Sequence, residues 1–136
     1  MMISTRGRYA LRVMVDLAEK QSDHFIPLKK IAEEQQLSEK YLESIVKVLV
    51  QSGMLEGVRG KGGGYRLIKS PEECTIGSIL ELTEVGMAPV ACLESDAEPC
   101  PRADQCRTLP MWKKLHAKLI DFFSGITIAD LMKTEE

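Results

Sequence analysis

Apolar residues recur at three- and four-residue spacing in several stretches of the chain, which is the period of a helix with one buried face. In the first stretch the recurring residues are Ala10, Met14 and Leu17. The same pattern predicts helices over residues 6–20, 28–35, 39–52, 76–84 and 109–124, with a short last helix over 127–130.

Residues suited to helix ends flank these stretches. Pro27 suits a first helical turn, where its missing N–H has no partner to lose, and Gly53 is placed to end the third helix. Side-chain oxygens that accept from free N–H groups predict N-caps at Ser4 or Thr5, at Ser38, at Thr75 and, as a capping box with Asp130, at Thr127.

Two extended segments, residues 54–59 and 65–68, flank a glycine-rich run that is compatible only with a turn. Two helices joined by a tight turn and followed by a hairpin are the order of a winged helix-turn-helix. The sequence therefore predicts a mainly α fold with a small β-hairpin. Its predicted parts are a winged helix-turn-helix DNA-binding domain over 1–85, a cysteine loop over 86–107, and a long dimerisation helix with a short last helix over 108–136.

Composition places the chain among globular proteins. Its 136 residues suffice for one domain, and 44% hydrophobic with 28% charged residues excludes a disordered chain. The apolar runs are far shorter than the roughly 20 residues that span a bilayer, and the first residues lack a signal-peptide core. We therefore expect a cytoplasmic protein with no membrane partner.

The charge is unevenly distributed along the chain. Residues 1–69 carry 12 Lys and Arg against 8 Asp and Glu, a net charge of +4, whereas residues 70–136 carry 6 against 12, a net charge of −6. A basic first half on an acidic protein indicates a polyanion partner for that half. Together with the predicted fold, this charge favours double-stranded DNA.

In a helix-turn-helix the second helix enters the major groove with its N-terminal residues at the base edges. Lys40 and Lys47 are placed to meet phosphates, and Glu43 and Ser44 to read bases, since a carboxylate accepts from cytosine N4. The bland alternatives are a loop that cradles a nucleotide phosphate, without the expected G-x-x-x-x-G-K-[ST] pattern, and ordinary solvated charges. The predicted DNA-binding set is Ser38, Glu39, Lys40, Tyr41, Glu43, Ser44 and Lys47 on the helix, with Arg59, Gly60 and Lys61 at the hairpin tip.

Three of the four cysteines, Cys92, Cys100 and Cys106, lie in the segment without helical period, spaced Cys-x7-Cys-x5-Cys. Thiolates converging from a loop can hold zinc or an iron–sulfur cluster, and free thiols in a loose loop are the alternative. No nearby cysteine supplies a fourth ligand. His116 is expected at the surface, Cys74 is expected to be half-buried and inert, and the acidic loop residues are expected to face water.

The long helix over 109–124 is apolar on more than one stripe. One ridge and its neighbours comprise Trp112, Leu115, Leu119 and Phe122, flanked by Met111 and Phe123. Such a stripe is covered either by the domain's own core or by a second copy of the chain. Because two-fold pairing adds DNA specificity, we expect a homodimer on a palindromic operator.

Several of these motifs resemble one protein family. They are STRGRYA at residues 4–10, LSEKYLE at 37–43, VRGKGGGY at 58–65, the three loop cysteines followed by Trp112, and ITIADL at 126–131. Nearly end to end, the chain resembles the Rrf-type winged-helix transcription regulators, a family that includes the cluster assembly regulator IscR and the nitric-oxide sensor NsrR.

The resemblance implies a dimeric bacterial transcription regulator, not an enzyme, whose loop binds an iron–sulfur cluster, [2Fe–2S] in preference to [4Fe–4S]. The first loop spacing is longer here than in IscR, and the positions of the relatives' fourth ligands hold Leu109 and Arg8, which do not ligate. The fourth ligand is therefore open. By resemblance the ligands are Cys92, Cys100 and Cys106, the specificity glutamate is Glu43, and the wing arginine is Arg59.

The resulting hypothesis is a regulator in which gain, loss or oxidation of a cluster reorders residues 92–106 and shifts the third helix. The alternative is a regulator of the same fold that senses by thiol oxidation, or that holds zinc, without a cluster. An enzyme or electron carrier is disfavoured because the sequence has no nucleophile–base pair, no paired acids and no cofactor fingerprint.

Overall fold

A computed structural model describes residues 2–20 and 24–132 of the chain. Over these residues the fold is mainly helical with one antiparallel hairpin, as predicted. In chain order the elements are α1 (Thr5–Glu19), α2 (Leu28–Gln35), α3 (Glu39–Gln51), β1 (Leu55–Val58), β2 (Gly64–Leu67), α4 (Ile76–Thr83), α5 (Leu109–Ser124) and α6 (Ile128–Leu131).

The predicted N-caps are present. The Ser4 hydroxyl accepts from the Gly7 N–H, and Thr127 forms the predicted capping box with Asp130. Ser38 and Thr75 cap their helices in the same way. Pro27 differs from the expectation: it is the N-cap of α2 with extended backbone, and not a residue of the first turn. The residue that follows it begins the helix, so its missing N–H still costs no helical hydrogen bond.

The turn between α2 and α3 is made by Gln36 in the left-handed conformation, with φ of 57°. The Gln36 N–H donates to the Glu33 carbonyl and the Leu37 N–H donates to the Ala32 carbonyl, which is the Schellman pattern of a helix end. Glycine is the usual residue at this position, so Gln36 holds a backbone conformation that is costly for a residue with a Cβ.

The core lies between the inward faces of α1, α2, α3 and α4, with α6 closing one side. Ile128 of α6 is fully buried in it, although the sequence groups this helix with the dimerisation helix. Two backbone hydrogen bonds hold the segment in place, from the Ile76 N–H to the Ile126 carbonyl and from the Ile128 N–H to the Cys74 carbonyl. The last short helix is thus packed against α1 and the turn that precedes α4.

The long helix α5 has a different environment, because none of its residues is buried. It packs against α4 and turns Phe123 toward the core, while Trp112 and Leu119 are half-buried. Its large apolar side chains remain exposed, 52% for Met111, 50% for Ile120 and 61% for Phe122. Within the described chain, no helix is long and apolar enough to cross a bilayer.

The segment between α4 and α5 forms no α-helix, as expected, but it is not featureless. Two single turns of 3₁₀-helix interrupt it, at Ala91–Leu93 and Ala103–Gln105. Neither turn contributes a buried residue.

Candidate nucleic-acid interface and cysteine loop

Helix α3 presents a polar row on the side opposite its core contacts. Its inward side chains are fully buried, with Leu42, Ile45 and Leu49 among them. The side chains exposed at its N-terminal end and along its outer face are Ser38, Glu39, Lys40, Glu43 and Lys47. The 3.6-residue period of α3 therefore places five of the seven helix positions of the predicted DNA-binding set on the solvent side.

Two predicted DNA-binding residues of α3 are only half-exposed. The ring of Tyr41 packs edge-on against that of Tyr9 on α1, with centroids 5.9 Å apart. The Ser44 hydroxyl donates to the Tyr41 backbone carbonyl at 2.7 Å, so its one proton is already used within the helix. Both residues lie where α3 meets α1, at the edge of the exposed face.

A groove separates α3 from the wing, which is the hairpin of β1 and β2. Glu43 and Lys47 line it from the helix, and Arg59, Val58 and Tyr65 line it from the hairpin. The structure thus brings together predicted contacts that are more than ten residues apart in the chain. Gly60 and Lys61 lie at the exposed tip beyond the groove.

The tip of the wing depends on backbone that side chains rarely allow. Gly60 has φ of 91° and Gly62 has φ of 79°, both in the left-handed region. The Gly63 N–H donates to the Gly60 carbonyl at 2.9 Å and closes the turn. Glycines at these positions make the tight turn accessible and leave the cationic side chains of Arg59 and Lys61 projecting beside bare backbone.

The base of the wing is tied to the domain from two sides. Tyr65 exchanges two backbone hydrogen bonds with Ile26, each 2.9 Å long. On the outer side, the Arg66 guanidinium pairs with Glu56 across the hairpin at 3.2 Å and lies 4.3 Å from the centre of the Phe25 ring. These contacts fix the base of the hairpin against the segment that leads into α2.

Within the described residues, no carboxylate forms an ion pair with the cations of the proposed interface. Among the residues that the structure describes, the ion pairs join Lys20 to Asp16 and Glu34, and Arg66 to Glu56. In that part of the chain, no ion pair involves the interface cations, which are Lys40, Lys47, Arg59 and Lys61. Unpaired cations on one face attract a polyanion and release its counterions on binding.

The cysteines divide into two environments. Cys92 and Cys100 are exposed and Cys106 is partly exposed, all on the loop between α4 and α5. Cys74 is buried more completely than expected, with 2% of its surface exposed, and burial raises the pKa of its thiol. Cys74 is therefore the unreactive thiol of the four, in line with the sequence expectation.

Cys106 lies next to the first turn of α5. Its sulfur lies 3.4 Å from the Thr108 hydroxyl. That hydroxyl, together with backbone N–H groups of Thr108 and Leu109, lowers the pKa of the Cys106 thiol. Since the thiolate is both the nucleophile and the metal-binding form of cysteine, Cys106 is the loop thiol that this structure prepares for either chemistry.

The loop supplies suitable donor atoms for a metal centre, but these atoms are not gathered in advance. In residues 2–20 and 24–132, no three Cys, His, Asp or Glu side chains converge where they would hold a metal ion. His116 lines a cavity between α4 and α5 with Glu81, Met87 and Phe123. Three thiols on one exposed loop match the soft donors that iron–sulfur clusters use, so the donor chemistry fits and binding requires the loop to close.

A helix-turn-helix followed by a cation-tipped wing defines this chain as a winged helix-turn-helix protein of the DNA-binding class. The chain belongs to the Rrf2 family, described as iron-dependent transcriptional regulators, whose family model matches residues 3–134. The family is one of transcription regulators and not of enzymes.

Three of the known proteins that are similar to the chain illustrate its relationships. The transcriptional regulator IscR of Pectobacterium carotovorum is 33% identical over 136 residues, which are all of this chain and 82% of that protein. The structure of T. potens IscR has 33% identity and a TM-score of 0.74, covering 96% of this chain and 85% of that one. The oxidized form of Staphylococcus aureus CymR has 35% identity and a TM-score of 0.74, covering 100% and 99%.

Sequence reasoning missed two residues that join helices, Arg6 between α1 and α3 and Glu84 between the end of α4 and α1. Arg6 donates to the backbone carbonyl of Ser44 in α3, and Glu84 accepts from Ser4 at the start of α1. Both contacts join residues that are far apart in the chain, so no local sequence pattern predicts them. The only sequence signal is negative: Gly7 stands where a capping box would carry an acid.

Proposed function

We propose that the chain is a transcription regulator that reads double-stranded DNA with α3 and the wing, and that senses its signal through the thiols of the loop 86–107. The observation that carries the first part is the groove between α3 and the wing, lined by Glu43, Lys47 and Arg59. Such a regulator acts in the cytoplasm, where its DNA is.

Each interface residue has a role that follows from its chemistry. The ammonium groups of Lys40, Lys47 and Lys61 meet phosphates, and Arg59 enters the minor groove beside the glycine tip. The Glu43 carboxylate accepts from a base edge, and its position is specific because a carboxylate is repelled by phosphates. Ser38 caps α3 and Glu39 in its first turn orients the helix, while Tyr41 and Ser44 at the edge against α1 orient it or contact the DNA backbone.

The exposed apolar face of α5 supports a homodimer. Met111, Leu115 and Phe122 share one side of α5 and are each at least 39% exposed, on a helix that buries none of its residues. A second copy packed on this face gives an isologous pair and a palindromic operator. Sedimentation equilibrium tests this: a dimer that Phe122→Asp converts to monomer is expected, and a monomeric wild-type chain contradicts it.

For sensing, we propose that Cys92, Cys100 and Cys106 hold an iron–sulfur cluster, [2Fe–2S] in preference to [4Fe–4S], with a fourth ligand that these residues do not specify. When bound, the cluster would supply a centre that reacts with oxidants or nitric oxide and that is lost when iron is scarce. The chain supplies three thiolates, and Cys106 is the readiest because its thiol pKa is lowered. The loop 86–107 must close to bring them together, which changes its shape between the two states.

The test of the cluster is an absorbance spectrum of anaerobically purified protein with iron and sulfide counts. A coloured protein with equimolar iron and sulfide, lost in Cys92→Ala and kept in Cys74→Ala, is expected. Colourless, iron-free protein after anaerobic reconstitution contradicts the proposal. The Cys74 variant is the matched control because that thiol is buried away from the loop.

A second candidate is sensing by thiol oxidation or zinc binding without a cluster. One observation favours oxidation: a 35%-identical structural neighbour, CymR, has been solved in an oxidized form. A lowered thiol pKa at Cys106 favours oxidation as much as metal binding. Colourless protein whose DNA affinity changes with peroxide and returns with a reductant distinguishes this candidate.

A further inference from the structure

The N-terminus of α1 is closed by a carboxylate that lies 80 residues further along the chain. The backbone N–H of Ser4 donates to Glu84 Oε1 at 2.5 Å, and the Ser4 hydroxyl donates to Glu84 Oε2. The same hydroxyl accepts from the Gly7 N–H at 3.0 Å. Glu84 therefore does for α1 what an acid at the third helical position does in a capping box.

Gly7 occupies that third position, and its missing side chain is what admits Glu84. A Cβ on Gly7 would lie 2.8 Å from Glu84 Oε2 and 3.1 Å from Thr83 Oγ1. The carboxylate thus fills the space of a local capping side chain. A tertiary contact replaces a local one at this helix end, so the position of α1 depends on where α4 ends.

Arg6 lies in the same first turn of α1 and reaches the recognition helix. Its Nη2 donates to the Ser44 backbone carbonyl at 3.0 Å, and the contact is partly buried. Ser44 lies on α3 between Glu43 and Lys47, two proposed DNA contacts. A hydrogen bond from a guanidinium is charge-assisted, so it fixes the position of this turn of α3 relative to α1.

Glu84 also lies next to the start of the cysteine loop. Glu84 directly follows α4. Gly86 lies two residues after Glu84. The Glu94 carboxylate lies against Gly86, in the space that a Cβ on Gly86 would need. Glu94 is itself two residues beyond Cys92. Hydrogen bonds therefore connect Glu84, the first turn of α1 and α3, and the backbone through Val85 and Gly86 joins Glu84 to the start of the loop.

We propose that Glu84 and Arg6 are positioning residues for DNA recognition. Glu84 fixes the first turn of α1 through Ser4, and Arg6 carries that position to α3 at Ser44. Neither residue needs to touch DNA for this role. The inference rests on the proposed function, because it assumes that α3 reads the duplex.

The test is a double-mutant cycle on DNA specificity with Glu84→Ala and Arg6→Gln. Two probes are compared at several salt concentrations: a duplex selected by the wild-type chain from a random-sequence library, and a shuffled duplex of the same composition. The specificity ratio is the Kd for the shuffled duplex divided by the Kd for the selected duplex. It is measured at a temperature where circular dichroism shows every variant folded. Loss of one charge-assisted hydrogen bond in a positioning series is expected to lower this ratio about tenfold in each single variant.

Because the two residues act in series, the double variant is expected to lose about as much as either single variant, roughly tenfold and not a hundredfold. Arg6→Lys, which keeps a donor for the Ser44 carbonyl, is expected to recover part of the specificity. Arg8→Gln is the matched control, since Arg8 is an exposed arginine of the same turn whose guanidinium donates to Thr5 Oγ1 at 3.4 Å. It is expected to leave the ratio unchanged.

The outcomes separate this inference from the proposed function. A wild-type chain that selects no duplex overturns both. A wild-type chain that selects a duplex, with a specificity ratio unchanged by Glu84→Ala, overturns the positioning role alone. Additive losses, or an effect of Arg6→Gln that appears only as a smaller salt slope, also overturn it, because they show independent action or a direct phosphate contact.

Discussion

Lys47 offers a sharp test of how the interface binds DNA. It is exposed on α3, it lines the groove opposite the wing, and no ion pair within the described chain involves it. Lys47→Ala therefore removes one cation without leaving a partner unpaired. Its free energy of unfolding is expected to change by no more than about 0.5 kcal/mol, as for most surface substitutions.

The effect on binding follows from counterion release. Each phosphate contact contributes about 0.9 to the slope of log K against log salt concentration, so Lys47→Ala is expected to lower the slope by about 0.9 for each subunit bound. Between 50 and 200 mM salt, one such contact changes the ratio of wild-type to variant affinity by roughly three- to fourfold. The loss is expected to be equal for selected and shuffled duplexes, because phosphates carry no sequence information.

Fluorescence anisotropy titrations of labelled duplexes over this salt range measure the slope. Lys113→Ala, exposed on the side of α5 opposite Met111 and Phe122, is the matched control and is expected to leave the slope unchanged. A Lys47 variant with the wild-type slope, or with a loss confined to the selected duplex, refutes the assignment of this side chain to a phosphate. Glu43→Gln is expected to behave oppositely, changing sequence preference and leaving the slope nearly the same.

Three further predictions concern the fold and the thiols. Ile128→Ala is expected to lower the free energy of unfolding by about 2–5 kcal/mol, because the side chain is fully buried; a thermal midpoint equal to that of wild type would show that α6 does not belong to the core. Gln36→Gly is expected to raise that free energy by roughly 0.5–1 kcal/mol in urea denaturation, since Gln36 holds a left-handed φ of 57°. In metal-free protein, the alkylation rate of Cys106 is expected to reach half its maximum at a lower pH than that of an ordinary thiol, while Cys74 stays unmodified in the folded state; mass spectrometry of the alkylated peptides follows both, and modification of Cys74 at the same rate as Cys106 would contradict the burial described here.

Local sequence signals were sufficient for the helices and the wing. The helix bounds follow from apolar periodicity and caps such as Ser38, and they agree with the structure to within a residue or so because caps and turns act on neighbouring residues. The antiparallel hairpin follows from two extended segments around glycines. The family resemblance is likewise confirmed, by a family model that matches residues 3–134.

Contacts between distant residues could not be predicted in this way. The burial of Ile128 depends on backbone hydrogen bonds to the segment around Cys74, and the contacts of Arg6 and Glu84 join separate helices. None of these leaves a periodic trace in the sequence. The apolar ridge of α5 was predicted to be either core or interface, and only the structure shows that none of its residues is buried within one subunit.

For the candidate site, the sequence indicates which kinds of side chain take part better than it indicates where those side chains lie. It placed the exposed cations of α3 and the wing on one side, yet two of its contacts, Tyr41 and Ser44, are half-buried against α1. The three loop cysteines remain predicted ligands, since spacing names donors but does not bring them together. Their convergence depends on how the loop closes, which is a property of the bound state.

The most direct test of the account is the DNA affinity of three forms of the protein: anaerobic and cluster-loaded, cluster-free, and Cys92→Ala. All three are titrated against a duplex selected by the wild-type chain and against its shuffled counterpart. The account predicts that the cluster-loaded form differs from the other two in affinity or in sequence preference, and that these two agree with each other. Equal affinity and equal preference in all three forms would contradict sensing through the loop cysteines.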